Sequence, residues 1–237
     1  MEKISDIIKA RIEHSGKRYY ANSNISEFIK PGDLEKLEAE LTESFRSVLD
    51  SLIIDQNHDP NSQGTAHRLA KMYLYETMKG RYYPDPKVTS FPNDTDHREH
   101  PYDQLLVIRS EIKSMCSHHH QPVVGTAYIG IIPGNKVLGL SKYVRIAQHQ
   151  ARRGTLQEEL CEDIAAAIES LTEARGVGVY IEAEHGCCTN RGINAHSSLT
   201  QTTVLKGCLK TEPSCKDRKS TRLNSSHVSE SRMPSSA

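Results

Sequence analysis

Near residue 103 the hydrophobic pattern of this 237-residue chain changes period, and the order of segments beyond that point admits few architectures. QLLVIRSEIKSM (104–115) and VVGTAYIGIIP (123–133) are β-rich and bounded by turn residues, as strands are. SKYVRIAQHQARR (141–153) then reads as a helix punctuated by Gly154. TLQEELCEDIAAAIESLTEA (155–174) is the clearest helix, with Thr155 as its expected cap and Leu156, Leu160, Ile164, Ile168 and Leu171 at successive turns. GVGVYIEAEH (176–185) and SLTQTTVLKG (198–207) return to strand character. Two strands, two helices and two strands predict an α+β domain, a four-stranded, mostly antiparallel sheet with the two helices on one face.

Upstream the period is helical. Leu34, Leu37, Leu41, Phe45, Val48 and Leu52 recur at three- and four-residue steps, predicting an amphipathic helix over 34–53 capped by Asp33 after Pro31-Gly32. A second helix is expected from Thr65 as N-cap to Gly80, followed by a loop or linker carrying Pro84, Pro86, Pro92 and Pro101. The expected organisation is therefore an N-terminal helical region and linker over 1–102, a sheet domain over 103–210, and a disordered tail over 211–237. From Asp217 onward seven residues are Ser and only four are apolar, without period. Such a segment cannot offset its ordering entropy, and 217–237 reads as non-native.

Composition excludes some functions. Lys plus Arg is 30 and Asp plus Glu is 30, so the chain has no bulk electrostatic reason to coat nucleic acid or an anionic membrane. No run approaches the roughly 20 apolar residues of a membrane span. The N-terminus carries charges throughout, unlike a secretory signal, so the expected compartment is the cytoplasm. There, the six Cys point to metal binding or catalysis rather than to disulfides. An apolar fraction of 36% leaves a lone monomer with less apolar material than usual.

Two clusters carry chemistry. CSHHH (116–120) stands where the first strand runs out, and HGCC (185–188) where the third ends. Thiolate and imidazole are favoured zinc ligands, and three of them with one open position define a catalytic site. Cys116 and His119 have the spacing to reach one ion from a turn, with Cys187 or Cys188 as third ligand. Strand alternation puts His185 and Cys187 on one face and selects Cys187. Taken singly, the histidines equally suit a solvated turn and the cysteines a small core position; their common place at neighbouring strand ends favours the open metal site. Cations gather as well: Ser141 and Lys142 open a helix with Arg145 one turn on, Arg191 follows HGCC, and Arg68 lies on the second helix. Together they suit a polyphosphate at a helix N-terminus, although each alone is more often a solvated surface charge. Glu158 can accept from a guanine N1–H and 2-amino group, and its spacing fits an ordinary ion pair as readily.

These segments resemble the GTP cyclohydrolase I family. The resemblance rests on GTAHRLAKMY (64–73), MCSHH (115–119), GLSKYVRI (139–146), LQEEL (156–160), HGCCTNRGI (185–193) and SSLTQTT (197–203), in order across roughly residues 40–208. It implies the tunnelling fold, whose subunit sheets join into a barrel, and a homodecamer of two pentamers with sites at subunit boundaries. It also implies zinc-dependent hydrolysis of GTP to 7,8-dihydroneopterin triphosphate and formate, at the head of pterin, folate or 7-deazaguanine synthesis. By motif, Cys116, His119 and Cys187 match the zinc ligands, and His118 and His185 the catalytic histidines. Gln157, Glu158 and the backbone of Leu138 to Leu140 match the guanine side of the site. Arg68, Ser141, Lys142, Arg145 and Arg191 match positions lining the triphosphate and ribose, Arg68 from a neighbour. Three departures stand out: Ser117 where the family commonly has Glu, His120 where it has an apolar residue, and Ala66 where it has Pro. The competing readings are a tunnelling-fold nitrile reductase of deazaguanine synthesis, which uses a Cys nucleophile and NADPH, and a GTP-binding homologue without turnover.

Overall fold

The computed structural model describes residues 2–93 and 101–212; the expected tail lies outside the described residues from 213 onward. Contacts divide the chain into two compact units, one of Met1–Asp85 with Ser114–His120 and Ala151–Thr155, the other of Pro86–Lys113, Gln121–Gln150 and the chain from Leu156.

The first unit is helical. α1 (Ile4–His14) buries Ile4, Ile8 and Ile12 at a four-residue spacing. These pack with Ile25 and with the half-buried Leu37, Phe28 and Tyr82. Each such burial contributes about 1.5–3 kcal/mol, so Ile12→Ala, at 1% exposure, is the change that most loosens this helix. α2 (Asp33–Ser51) begins one residue earlier than its apolar pattern, and Asp33 is not its cap. Gly32 occupies that position with φ +83, while the buried Asp33 carboxylate bonds the Arg11 guanidinium and accepts from the Lys30 N–H. The expected second helix is compound. α3 (Thr65–Lys71) starts after Gly64, which occupies the cap position in place of Thr65 with φ +73. A π-helical segment, Met72–Thr77, follows, and α4 (Lys79–Tyr82) carries the helical path past Gly80. The π widening is bonded from the Met78 N–H to the Tyr73 carbonyl and from the Thr77 hydroxyl to the Met72 carbonyl.

The second unit is α+β. The proline-bearing stretch expected to be loop contains β1 (Ser90–Pro92), a strand too short for any periodicity to announce. β2 (Leu106–Met115), β3 (Pro122–Ile132) and a short β4 (Lys136–Leu138) follow; β4 pairs antiparallel with β1. α5 (Leu140–Ala151) and α6 (Gln157–Thr172) precede β5 (Gly176–His185), a single helical turn α7 (Gly186–Thr189), β6 (Thr200–Gly207) and a last turn α8 (Cys208–Thr211). The main sheet has the order β2-β3-β5-β6, and its β3–β5 and β5–β6 pairs are antiparallel. α6 buries Leu160, Cys161, Ile164 and Ile168, and the Cys161 thiol bonds the Val179 carbonyl of β5, which seats that helix on the sheet. Thr155 is not the cap of α6; Leu156 takes that position, and Thr155 is buried, its N–H bonded to the Met115 carbonyl. Among the described residues no helix is long and apolar enough to cross a membrane.

Candidate functional site

β2 stops at Met115, and Cys116 makes an isolated parallel bridge with Thr155. The next four residues form a turn closed by the His120 N–H on the Cys116 carbonyl, 2.9 Å, with His120 in the left-handed region at φ +51. Within that turn Cys116 is buried and His118 and His119 are exposed, their rings edge to face at 6.3 Å.

The partner cluster is set by β-sheet register. Val123 of β3 lies opposite His185, the last residue of β5. After His185 the chain turns helical through α7, so strand alternation ends before it reaches the cysteines. Cys187 nonetheless joins the first cluster: the ligand atoms of Cys116, His119 and Cys187 all lie within 4.8 Å of one another. The geometry that presents Cys187 is therefore a helical turn and not the strand face expected from period two. Cys188 lies with its Sγ 4.0 Å from that of Cys187 and is outside the trio.

Two thiolates and an imidazole form a soft donor set, and tetrahedral bonds of about 2.0–2.3 Å draw three such ligand atoms to separations of about 3.3–3.8 Å, inside the 4.8 Å within which they lie. The residues present therefore fit a zinc-type divalent ion with one position left for water or substrate.

His185 is half-buried, and burial pushes its pKa down while the Glu158 charge partly offsets that. Its Nε2 lies 2.7 Å from Oε1 of Gln157. Gln157, the first residue of α6, is 3% exposed, and its amide nitrogen donates to the carbonyls of Ile181 and Thr200 and to the Thr202 hydroxyl. Expected among the substrate contacts, it is thus bonded at both ends inside the fold. Glu158, next to it, is exposed.

The remaining expected site residues fall in three places. Leu138 is buried at the end of β4, its N–H donated to the Tyr143 hydroxyl, while the exposed Leu140 and Ser141 and the half-buried Lys142 make up the first turn of α5. Arg145, one turn further, is exposed, as is Arg191 beyond α7. Arg68 on α3 is turned into its own loop, where it donates to the Asn61 and Gln63 carbonyls and the Thr65 hydroxyl. Two participants escaped the sequence reading. Tyr73 stacks on Phe45 and meets the His120 ring, and the bond network of Gln157 could be seen only once β5 and β6 were paired.

Residues 41–224 match the family model described as GTP cyclohydrolase I. Among curated proteins, the chain is 37% identical over 179 residues to GTP cyclohydrolase 1 of Pseudoalteromonas translucida, covering 73% of this chain and 92% of that one. It is 35% identical over 195 residues to GTP cyclohydrolase 1 of Hahella chejuensis, covering 81% and 97%. Among solved structures, archaeosine synthase QueF-Like in the apo form aligns at TM-score 0.38 and 16% identity, over 46% of this chain and 97% of that chain. With a family match across most of its length and relatives above a third identical, the chain belongs to the GTP cyclohydrolase I family.

Proposed function

We propose that this protein hydrolyses GTP to 7,8-dihydroneopterin triphosphate and formate, as a zinc enzyme of the cytoplasm. The observation that carries the reading is the convergence of Cys116, His119 and Cys187 on one point, in a chain of this family. Held by those three side chains, zinc supplies the Lewis acidity that makes water nucleophilic near neutral pH.

The chain's own residues do the rest. Guanine C8 is a poor electrophile until N7 is protonated, and His185 is the group that delivers that proton. His118 moves protons as the imidazole ring opens and formate leaves. Glu158 accepts from the guanine N1–H and 2-amino group, beside the backbone of Leu138 to Leu140. Ser141, Lys142, Arg145 and Arg191 hold ribose and triphosphate, and these remote contacts keep C8 in register with the reacting groups. Arg68, anchored in its own loop, adds to the triphosphate site of a neighbouring subunit. The assembly is a homodecamer in which tunnelling-fold sheets, formed from 103–210, join edge to edge into a barrel. The product feeds pterin and folate or 7-deazaguanine synthesis.

The test is direct. GTP incubated with zinc-loaded protein yields formate and, after oxidation, a fluorescent pterin. Protein holding one zinc per subunit that produces neither sinks the reading; GTP binding without product points to a non-catalytic homologue, and NADPH consumption with a nitrile substrate to the reductase.

A further inference from the structure

Gln157 presents an asymmetry that assigns a proton. Two of the three groups against its amide nitrogen are the backbone carbonyls of Ile181 and Thr200, at 3.2 and 3.0 Å, and a carbonyl only accepts. The atom facing them must be the NH2, because the opposite amide orientation would set oxygen against oxygen. The remaining end, Oε1, is then an obligate acceptor, and it lies 2.7 Å from Nε2 of His185. A close contact between an obligate acceptor and an imidazole nitrogen requires that nitrogen to carry hydrogen. All these groups lie on α6, β5 and β6, where the antiparallel pairing of β5 with β6 sets Ile181 opposite Thr202.

We propose that Gln157 is a positioning residue that accepts from the Nε2–H of His185 and so fixes the direction of the ring, leaving Nδ1 as the nitrogen open to the reaction. The proposal rests on the reading of His185 as the acid that serves guanine N7, and it removes Gln157 from the substrate contacts. The two hydrogens of its nitrogen are already shared among three acceptors inside the fold, and its oxygen accepts from the His185 ring, so Gln157 is committed to the sheet and to that histidine. Its value lies in direction as well as protonation. A ring tethered at Nε2 cannot swing, so Nδ1 keeps a constant bearing through the successive steps.

Two measurements test it. The first needs no variant: magic-angle-spinning NMR of the zinc-loaded, 15N-histidine-labelled assembly, with His185 assigned by the signals lost in His185→Gln. His185 is expected to show hydrogen on Nε2; a bare Nε2 with hydrogen on Nδ1 overturns the proposal. The second separates positioning from substrate contact. Gln157→Leu is expected to lower kcat between about 10-fold and 100-fold, part of the 10²–10⁴ that a placed acid–base group contributes, with the KM for GTP within about threefold. A raised KM with kcat unchanged makes Gln157 a substrate contact and overturns the proposal. Should Gln157→Leu fail to fold, the wild-type spectrum still decides. Should that spectrum show hydrogen on Nε2 in a protein that makes no formate from GTP, the proposed function fails while the Nε2–H assignment stands.

Discussion

The His120 ring lies 5.7 Å from that of Tyr73, centroid to centroid, and Tyr73 in turn stacks on Phe45 at 5.4 Å. His120 closes the Cys116 turn through its N–H and does so in a left-handed backbone conformation that a side chain such as His adopts at a cost. The stack offsets part of that cost, since aromatic pairs contribute about 0.5–1.5 kcal/mol beyond the area they bury. Tyr73 therefore helps hold the turn on which Cys116 and His119 stand. Tyr73→Ala is expected to weaken zinc binding by about 10-fold, the lower end of what outer supports of ligands contribute, and Tyr73→Phe to leave it unchanged. Competition with a chromophoric chelator reads both; equal affinities for all three proteins would remove Tyr73 from the account.

The two adjacent cysteines are not equivalent. Cys187 belongs to the trio within 4.8 Å, whereas Cys188 is outside it, its sulfur 4.0 Å from that of Cys187. Cys187→Ser is expected to abolish stoichiometric zinc and, in cobalt-substituted protein, to diminish the thiolate-to-metal absorption. Cys188→Ser is expected to retain one metal per subunit with an unchanged cobalt spectrum. Loss of metal in Cys188→Ser with retention in Cys187→Ser would exchange their roles.

What could be read from sequence follows the length over which a pattern repeats. GVGVYIEAEH carries strand character across ten residues, and β5 spans those same residues, Gly176–His185. β1 and β4, three residues each, contain no period to read and pair with each other. Caps misled for a chemical reason. Asp33 and Thr155 are the residue types that cap helices, but a residue type does not say whether its polar groups bond within the helix or to partners elsewhere. Arg11 took the first, and the Met115 carbonyl took the N–H of the second. The site divides the same way. Clustered Cys and His are visible as letters, whereas the bonds of Gln157 reach residues 24 to 45 positions along and exist only after the sheet forms.

Sheet register at the site depends on Gly125. A Cβ built there would lie 2.0 Å from the Glu182 carbonyl oxygen and 2.5 Å from the Ala183 Cα, both backbone atoms of β5 that cannot step aside without breaking the pairing. The same pairing sets Val123 opposite His185. Gly125→Ala is expected to cost about 3 kcal/mol or more, beyond the usual overpacking penalty because the obstruction is backbone, and to lower zinc content with it. Gly139→Ala is the control: its nearest neighbour is the Lys142 Cγ at 4.0 Å, an ordinary contact. Thermal unfolding of the two variants should separate them by well over 5 °C; similar midpoints would mean that β5 yields at this point.

The buried pair of Arg11 and Asp33 ties α1 to the start of α2, and it sets an acid limit on the helical unit. Burial alone pushes the Asp33 carboxyl up, but the Arg11 guanidinium and the Lys30 N–H outweigh that and hold it below its ordinary value of 3.8. A carboxylate depressed in the folded state binds its proton more weakly there than in the unfolded chain. Its stabilisation is therefore complete above the unfolded value, and it is lost as pH falls from about 3.8 through the lower folded one. Asp33→Asn removes the charge while Arg11 stays only 24% exposed, and loss of one partner from a buried pair costs about 3 kcal/mol, less whatever solvent reaches Arg11. Urea unfolding followed by far-ultraviolet circular dichroism should show that deficit at pH 7 and a smaller one at pH 3, the two proteins converging as the wild-type carboxyl is protonated. A deficit that stays constant from pH 7 to pH 3 would assign the loss to packing and not to the charge.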